Sequence, residues 1–244
     1  MCLTICSNEA IRTSGDGAIL IERSRCDACG LCVDNCPAKA LHVFGARMTV
    51  EDVLSNVEED LQFYTRSDGG VTLSGGEPLL QPEFSEALLR ACRERGIHTA
   101  IDTTGFADWE RLEKVLRHVN TAFYDIKCWD SDLHYRWTGH DNLLIMENLE
   151  RLCSSFPDIS VIVRTPIIPT VNDTDEEIKN IASKLMGVNG IQKWELIKYH
   201  RFGESKYKQL GREYELNNLT FDDARFDYLK TIALSILENK IALV

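Results

Sequence analysis

From residue 49 onward the sequence alternates between helical and strand-like hydrophobic spacing, and this constrains the fold more than any other feature. Thr49 precedes a stretch in which Val50, Val53, Leu54, Val57, Leu61 and Tyr64 recur at helical intervals, which predicts a capped helix. Asp68-Gly69-Gly70 reads as a turn into the short β-branched stretch Val71-Thr72-Leu73-Ser74. Pro82 opens a second helix with Phe84, Leu88, Ala91 and Cys92 on one face and Gly96 as its stop. Further strands are expected over 98–105, 121–127, 159–168 and 191–200. Helices are expected after Asp108, over 131–137 and 143–155, from the capping box Thr174-Asp175-Glu176-Glu177 to about 186, and from 220 to about 238. Strands in strict alternation with helices imply right-handed βαβ crossovers and a parallel sheet, so the fold class is α/β.

Parallel sheets of this kind hold their ligands at the carboxyl ends of the strands. Here Ser74-Gly75-Gly76-Glu77-Pro78 closes the first strand, and Asp102 and Thr103 lie near the end of the second. Asp125, Ile126 and Lys127 end the third, Arg164 lies near the end of the fourth, and His200 ends the fifth. Each has a plain alternative: a turn for Gly-Gly-Glu, a loop cap for Asp102, a surface ion pair for Asp125 with Lys127, a core histidine for His200. Recurrence at five successive strand ends points to a ligand site.

The head of the chain has a different character. Of nine cysteines, Cys2, Cys6, Cys26, Cys29, Cys32 and Cys36 fall within the first 36 residues. The amino terminus shows no basic region or apolar core of signal length, so metal is a better reading than disulfides and a cytoplasmic location is expected. The gaps from Cys26 to Cys36, two, two and three residues followed by Pro37, resemble the bacterial ferredoxin run; a structural zinc site or buried thiols is the alternative. Cys2 and Cys6 repeat the last gap, and Ser7-Asn8-Glu9-Ala10-Ile11 resembles Pro37-Ala38-Lys39-Ala40-Leu41. In two-cluster ferredoxins the fourth cysteine of a run serves the other cluster. By that rule Cys6 joins Cys26, Cys29 and Cys32 around one 4Fe-4S cluster, while Cys2 and Cys36 belong to a second that lacks two ligands. The alternative is that Cys2 and Cys6 are incidental thiols. A net charge of -11 disfavours nucleic acid and anionic membrane surfaces, and no apolar run is long enough to span a membrane.

Together, Ser74-Gly75-Gly76-Glu77-Pro78, Tyr124-Asp125-Ile126-Lys127 and Tyr199-His200 with Gly203-Glu204-Ser205-Lys206-Tyr207 resemble the activating enzymes of glycyl-radical enzymes. These belong to the radical S-adenosylmethionine superfamily, and the subset concerned carries a ferredoxin-like insert. The resemblance covers nearly the whole chain. It implies a partial (β/α)6 barrel lacking its first strand over 47–244, with an incomplete ferredoxin-like iron–sulfur region over 1–46. It further implies that Ser74, Gly75, Gly76 and Glu77 hold the methionine ammonium of S-adenosylmethionine, and that Lys127 pairs with its carboxylate. Asp125 would orient Lys127 or, with Asp102 and Thr103, help hold a monovalent cation; Ile126 lies within the same strand end. His200 would contact the ribose or carboxylate, and Arg164 the cofactor or the incoming glycine loop.

The implied reaction is one-electron cleavage of S-adenosylmethionine at a reduced 4Fe-4S cluster, followed by removal of a hydrogen atom from a backbone glycine of a partner glycyl-radical enzyme. The ferredoxin-like insert would relay the electron, supplied by a donor of the flavodoxin or ferredoxin type. One departure stands out. The family's three-cysteine run, with gaps of three and two residues, is absent from these 244 residues. The expectation is therefore an amino-terminally truncated chain that does not cleave S-adenosylmethionine alone and leaves the 71–74 strand at an unpaired edge. The competing reading is a ferredoxin-type electron-transfer module on a scaffold barrel, which would have no use for the Gly-Gly-Glu segment or Lys127.

Overall fold

The computed structural model describes residues 2–15, 17–216 and 219–244. The chain divides into two compact units, Met1–Met48 with His200–Asn218, and Thr49–Tyr199 with Leu219–Val244. In the first unit, β1 (Ile11–Thr13) and β2 (Ile19–Ile21) form an antiparallel pair, accompanied by the short helices Cys2–Ile5, Leu31–Asp34 and Glu204–Gln209.

The second unit is built on a parallel sheet of β3 (Gly70–Leu73), β4 (His98–Thr103), β5 (Thr121–Asp125), β6 (Ser160–Ile167), β7 (Ile191–Lys198) and β8 (Ala242–Leu243). Strand order follows sequence order, so every crossover advances one place in the same direction. Alternate residues of each strand, such as Ile101, Tyr124, Val163 and Trp194, are buried in one continuous core with Leu112, Leu149, Ile181 and Leu229 from the helices. Each such side chain contributes about 1.5–3 kcal/mol on leaving water, which holds the helices against this face. The intervening residues Asp102, Phe123, Asp125, Arg164 and Glu195 project from the other face and stay partly exposed. That face is where polar side chains gather.

Among the described residues β3 is the first strand in the order and pairs only with β4. Gly70 lies opposite His98, and a Cβ there would sit 1.9 Å from the His98 carbonyl oxygen, so the first position of β3 admits no side chain.

In the second unit the structure differs from the sequence expectation at several points. The helix expected from 50 to 64 breaks at Asp60 into Val50–Glu59 and Leu61–Ser67. Glu58, Glu59 and Asp60 would crowd carboxylates at the negative end of the helix dipole, and Asp60 leaves helical geometry there. Thr49 does form a reciprocal capping box with Asp52. Thr174 accepts from the Glu177 amide, but the Glu177 carboxylate does not turn back to complete that box; it accepts from the amides of Trp129 and Asp130. The final strand β8 was not foreseen. No helix among the described residues is long and apolar enough to cross a membrane.

Candidate functional site

The carboxyl ends of β3 to β6 carry a connected chain of polar side chains. Ser74 Oγ donates to Asp102 Oδ2 at 3.3 Å, and Asp102 forms an ion pair with Arg164. Arg164 Nε lies 3.7 Å from Asp125 Oδ1, and Lys127 Nζ donates to Asp125 Oδ2 at 2.6 Å. Register explains the spacing: Asp125 stands directly opposite Arg164, while Asp102 stands opposite Phe123 on the intervening strand. Arg164 therefore reaches across β5, its guanidinium 4.8 Å from the Phe123 ring centroid, to meet Asp102 on β4. The four charges alternate in sign and their side chains are only 21–34% exposed, so water screens them weakly. Arg164 Nε is buried with no hydrogen-bond partner, and Asp125 Oδ1 at 3.7 Å compensates its charge through space. Lys127, with three donors and one carboxylate partner, can still take an anion.

The Gly75-Gly76 segment lies beside this row. A Cβ on either glycine would meet no heavy atom within 4 Å, and Gly75 has φ +119°. The result is bare backbone facing open space, a fit for a ligand that needs close approach to peptide groups.

In the ligand-free chain the Glu77 carboxylate is held by its neighbours. Its Oε1 accepts from the Thr103 hydroxyl at 2.6 Å and the Leu79 amide at 3.2 Å. Its Oε2 accepts from the Thr104 amide at 2.9 Å and hydroxyl at 2.8 Å. The carboxylate ties the ends of β3 and β4 together. Thr103 turns toward Glu77, whereas Asp102, its neighbour along the strand, turns to Arg164, so the two side chains face different partners. Ile126 packs its side chain in the helix-facing core, so only its backbone, whose amide donates to the Arg164 carbonyl, lies at the strand ends. His200 lies two residues past the end of β7, in the first unit, exposed and stacked on Phe202 with ring centroids 4.4 Å apart.

In the first unit Cys6, Cys26, Cys29 and Cys32 all line one cavity of about 670 Å³, and Cys36 does not. Burial pushes the Cys32 thiol up, and the neighbouring Cys26, Cys29 and Cys6 sulfurs add to it. The two halves of the head have matching local geometry. The Ala10 amide donates to Cys6 Sγ at 3.3 Å and the Ala40 amide to Cys36 Sγ at 3.2 Å, while Glu9 and Lys39 both have φ 48°. The Ala40 and Leu41 amides hold the Cys36 thiol below the ordinary range. The Cys2 side chain lies outside the described residues. No group of three or more His, Cys, Asp or Glu among the described residues is arranged to hold a single metal ion. The four thiols stand instead around one shared cavity, a donor set that suits an iron–sulfur cluster.

Sequence reasoning missed several residues at these strand ends. Thr104 grips Glu77, and its signal was only a second threonine before Gly105. Asn172, Asn142 and Glu177 are buried polar groups that hold backbone, and periodicity carries no signal for them.

A family model described as the Radical SAM superfamily matches residues 28–184. The isethionate sulfite-lyase activating enzyme of Oleidesulfovibrio alaskensis is 44% identical over 91% of this chain and 72% of its own length. The (2S)-3-sulfopropanediol sulfolyase activating enzyme of Bilophila wadsworthia is 44% identical over 91% of this chain and 73% of its own length. Among solved structures, a domain of the pyruvate-formate lyase-activating enzyme from Bacteroides vulgatus superposes with a TM-score of 0.58 at 29% identity, covering 72% of this chain and 98% of that domain. These relatives favour the enzyme over the electron-carrier reading. The chain belongs to the radical S-adenosylmethionine superfamily, among the activating enzymes of glycyl-radical enzymes.

Proposed function

We propose that this activating enzyme holds S-adenosylmethionine across the carboxyl ends of β3 to β6 and a 4Fe-4S cluster on Cys6, Cys26, Cys29 and Cys32, and that its partner is a glycyl-radical lyase. The alternating Asp102–Arg164–Asp125–Lys127 row beside two unobstructed glycines carries this reading, because it offers a zwitterionic ligand complementary groups at the strand ends. When bound, S-adenosylmethionine would supply one-electron cleavage of a sulfonium bond and removal of a hydrogen atom from a glycine of the partner; the head cluster, with all its irons held by thiols, would relay the electron, because the three-cysteine run for the cofactor's own cluster is absent from these 244 residues. The protein's own part is positioning. The Gly75 and Gly76 carbonyls accept from the ligand ammonium, and Lys127, fixed by Asp125, donates to the ligand carboxylate. Glu77 keeps β3 and β4 in step through Thr103 and Thr104. A monovalent cation at Asp102 and Thr103 would have to draw Asp102 away from Arg164.

The same-direction crossovers and the helices gathered against one face support a partial barrel, the arrangement in which strand ends converge. The matching geometry at Cys6 and Cys36 supports a ferredoxin-like head, which includes residues 200–218. Cys36, outside the cavity, would face a second cluster with Cys2. The partly exposed thiols suit electron entry from a flavodoxin or ferredoxin-type donor in the cytoplasm. Two relatives at 44% identity are named for sulfonate lyases, which makes an enzyme that cleaves a sulfonate the first partner to test.

Equilibrium dialysis with S-adenosylmethionine tests the site. Saturable binding that is weakened in Gly76→Ala, with an unchanged melting temperature, is expected, since the added Cβ meets nothing in the ligand-free protein. Binding of equal strength in the variant, or none in the parent, refutes the proposed site.

A further inference from the structure

The stretch that begins with Lys127 has no regular structure until the helix Ser131–Thr138, yet its backbone is held at almost every residue. Asn172, 1% exposed, donates from Nδ2 to the Lys127 carbonyl at 2.6 Å and the Pro166 carbonyl at 2.7 Å, and its Oδ1 accepts from the Ile168 amide at 2.7 Å. Asn142, 4% exposed, donates to the Cys128 carbonyl at 2.9 Å and the Trp129 carbonyl at 2.8 Å. Glu177, 6% exposed, accepts from the Trp129 amide at 2.6 Å and the Asp130 amide at 3.0 Å.

Three buried polar side chains on one four-residue stretch is an expensive arrangement, since each had to be desolvated. A surface turn would leave these backbone groups to water. Two of the three, Asn172 and Glu177, come from the segment after β6, and Asn172 bonds the end of β5 to the end of β6 where Lys127 and Arg164 meet Asp125. We infer that Asn172, supported by Glu177 and Asn142, is the positioning residue that sets the height and direction of Lys127 for the carboxylate of S-adenosylmethionine. Asn172 touches no ligand. It fixes the carbonyl of the residue whose side chain does, and Asp125 fixes the ammonium at the other end. This inference rests on the assignment of Lys127 to the ligand carboxylate.

The test compares two ligands on the anaerobically reconstituted chain: S-adenosylmethionine, and 5′-methylthioadenosine, which lacks the amino acid moiety. Asn172→Asp keeps the size and the acceptor for Ile168 but loses both donors. It should weaken S-adenosylmethionine about tenfold, the usual cost of losing a partner that orients a binding group, and leave 5′-methylthioadenosine unchanged. Lys127→Met should show the same selectivity, and the double variant should bind no more weakly than Lys127→Met alone. A general loosening of the fold would lower both ligands together and overturn the inference. If Lys127→Met is selective and Asn172→Asp is not, the positioning role of Asn172 fails and the assignment of Lys127 stands. If Lys127→Met is not selective, or the parent binds no S-adenosylmethionine, both fail. Circular dichroism checks each variant for folding; should Asn172→Asp not fold, Asn142→Asp makes the same measurement from the other side of the loop.

Discussion

Replacing Glu77 with glutamine separates two roles for its carboxylate. If the group grips a ligand, as the motif implied, the substitution leaves the ligand-free protein intact and harms only binding. The structure predicts otherwise, because the two oxygens accept four hydrogen bonds, from the hydroxyls of Thr103 and Thr104 and the amides of Leu79 and Thr104. Glutamine keeps one acceptor oxygen and presents an NH2 on the other side. With the NH2 on the Oε1 side the Thr103 hydroxyl proton loses its acceptor and the Leu79 amide faces a donor. With it on the Oε2 side the same happens to the Thr104 hydroxyl and amide, so two bonds are lost either way. Bonds to a charged acceptor are worth about 1.5–3 kcal/mol each, and Glu77 is half-buried, so losing two costs about 2 kcal/mol after allowance for solvent. For a chain of this size that lowers the melting temperature by about 4–8 °C. Thermal and urea unfolding followed by circular dichroism reads the effect. A Glu77→Gln protein that melts within about 1 °C of the parent, a change too small for two lost bonds, refutes the clamp and returns the carboxylate to the ligand.

Gly105 has φ +69°, and a Cβ there would lie 1.9 Å from the Tyr124 hydroxyl, which itself donates to the Ile145 carbonyl. Gly105→Ala should therefore cost more than about 3 kcal/mol and reduce soluble yield; a melting temperature equal to the parent's would show that the turn can move aside. Burial pushes the Cys128 thiol up to about 12 and the Cys153 thiol up to about 11, above their ordinary value in the unfolded chain. The unfolded state then sheds protons that the folded state keeps, so stability is complete near neutrality and falls as pH rises from about 9 toward 12. Urea midpoints should decline across that range and decline less in Cys128→Ala; a midpoint that rises with pH contradicts the assignment.

The parts of this molecule that sequence could show are those written in hydrophobic spacing. The helix Leu143–Ser155 and the strands around Val71, Ile101, Phe123, Ile162 and Trp194 each repeat an apolar period long enough to read. β8 has two residues and β1 and β2 have three each, too few for any period to register. At the site, charge type was legible and partnership was not. Nothing local to Glu77 indicates that Thr103 and Thr104 will claim it, because that depends on the register of β3 against β4. Likewise the reach of Arg164 over Phe123 to Asp102 needs two strand registers at once. In the head, the repeat of Ser7-Asn8-Glu9-Ala10 on Pro37-Ala38-Lys39-Ala40 was visible because both segments adopt the same turn and the same amide-to-sulfur bond.

Iron and acid-labile sulfide per chain after anaerobic reconstitution, measured for the parent, Cys6→Ala and Cys36→Ala, test the four-thiol cluster most directly. Cys6 shares its cavity with Cys26, Cys29 and Cys32, and Cys36 stands outside it. About four irons and four sulfides per chain, retained in Cys36→Ala and lost on desalting in Cys6→Ala, is the predicted result for one cluster on those four thiols. Stoichiometric zinc, or iron that depends on Cys36 and not on Cys6, would contradict it.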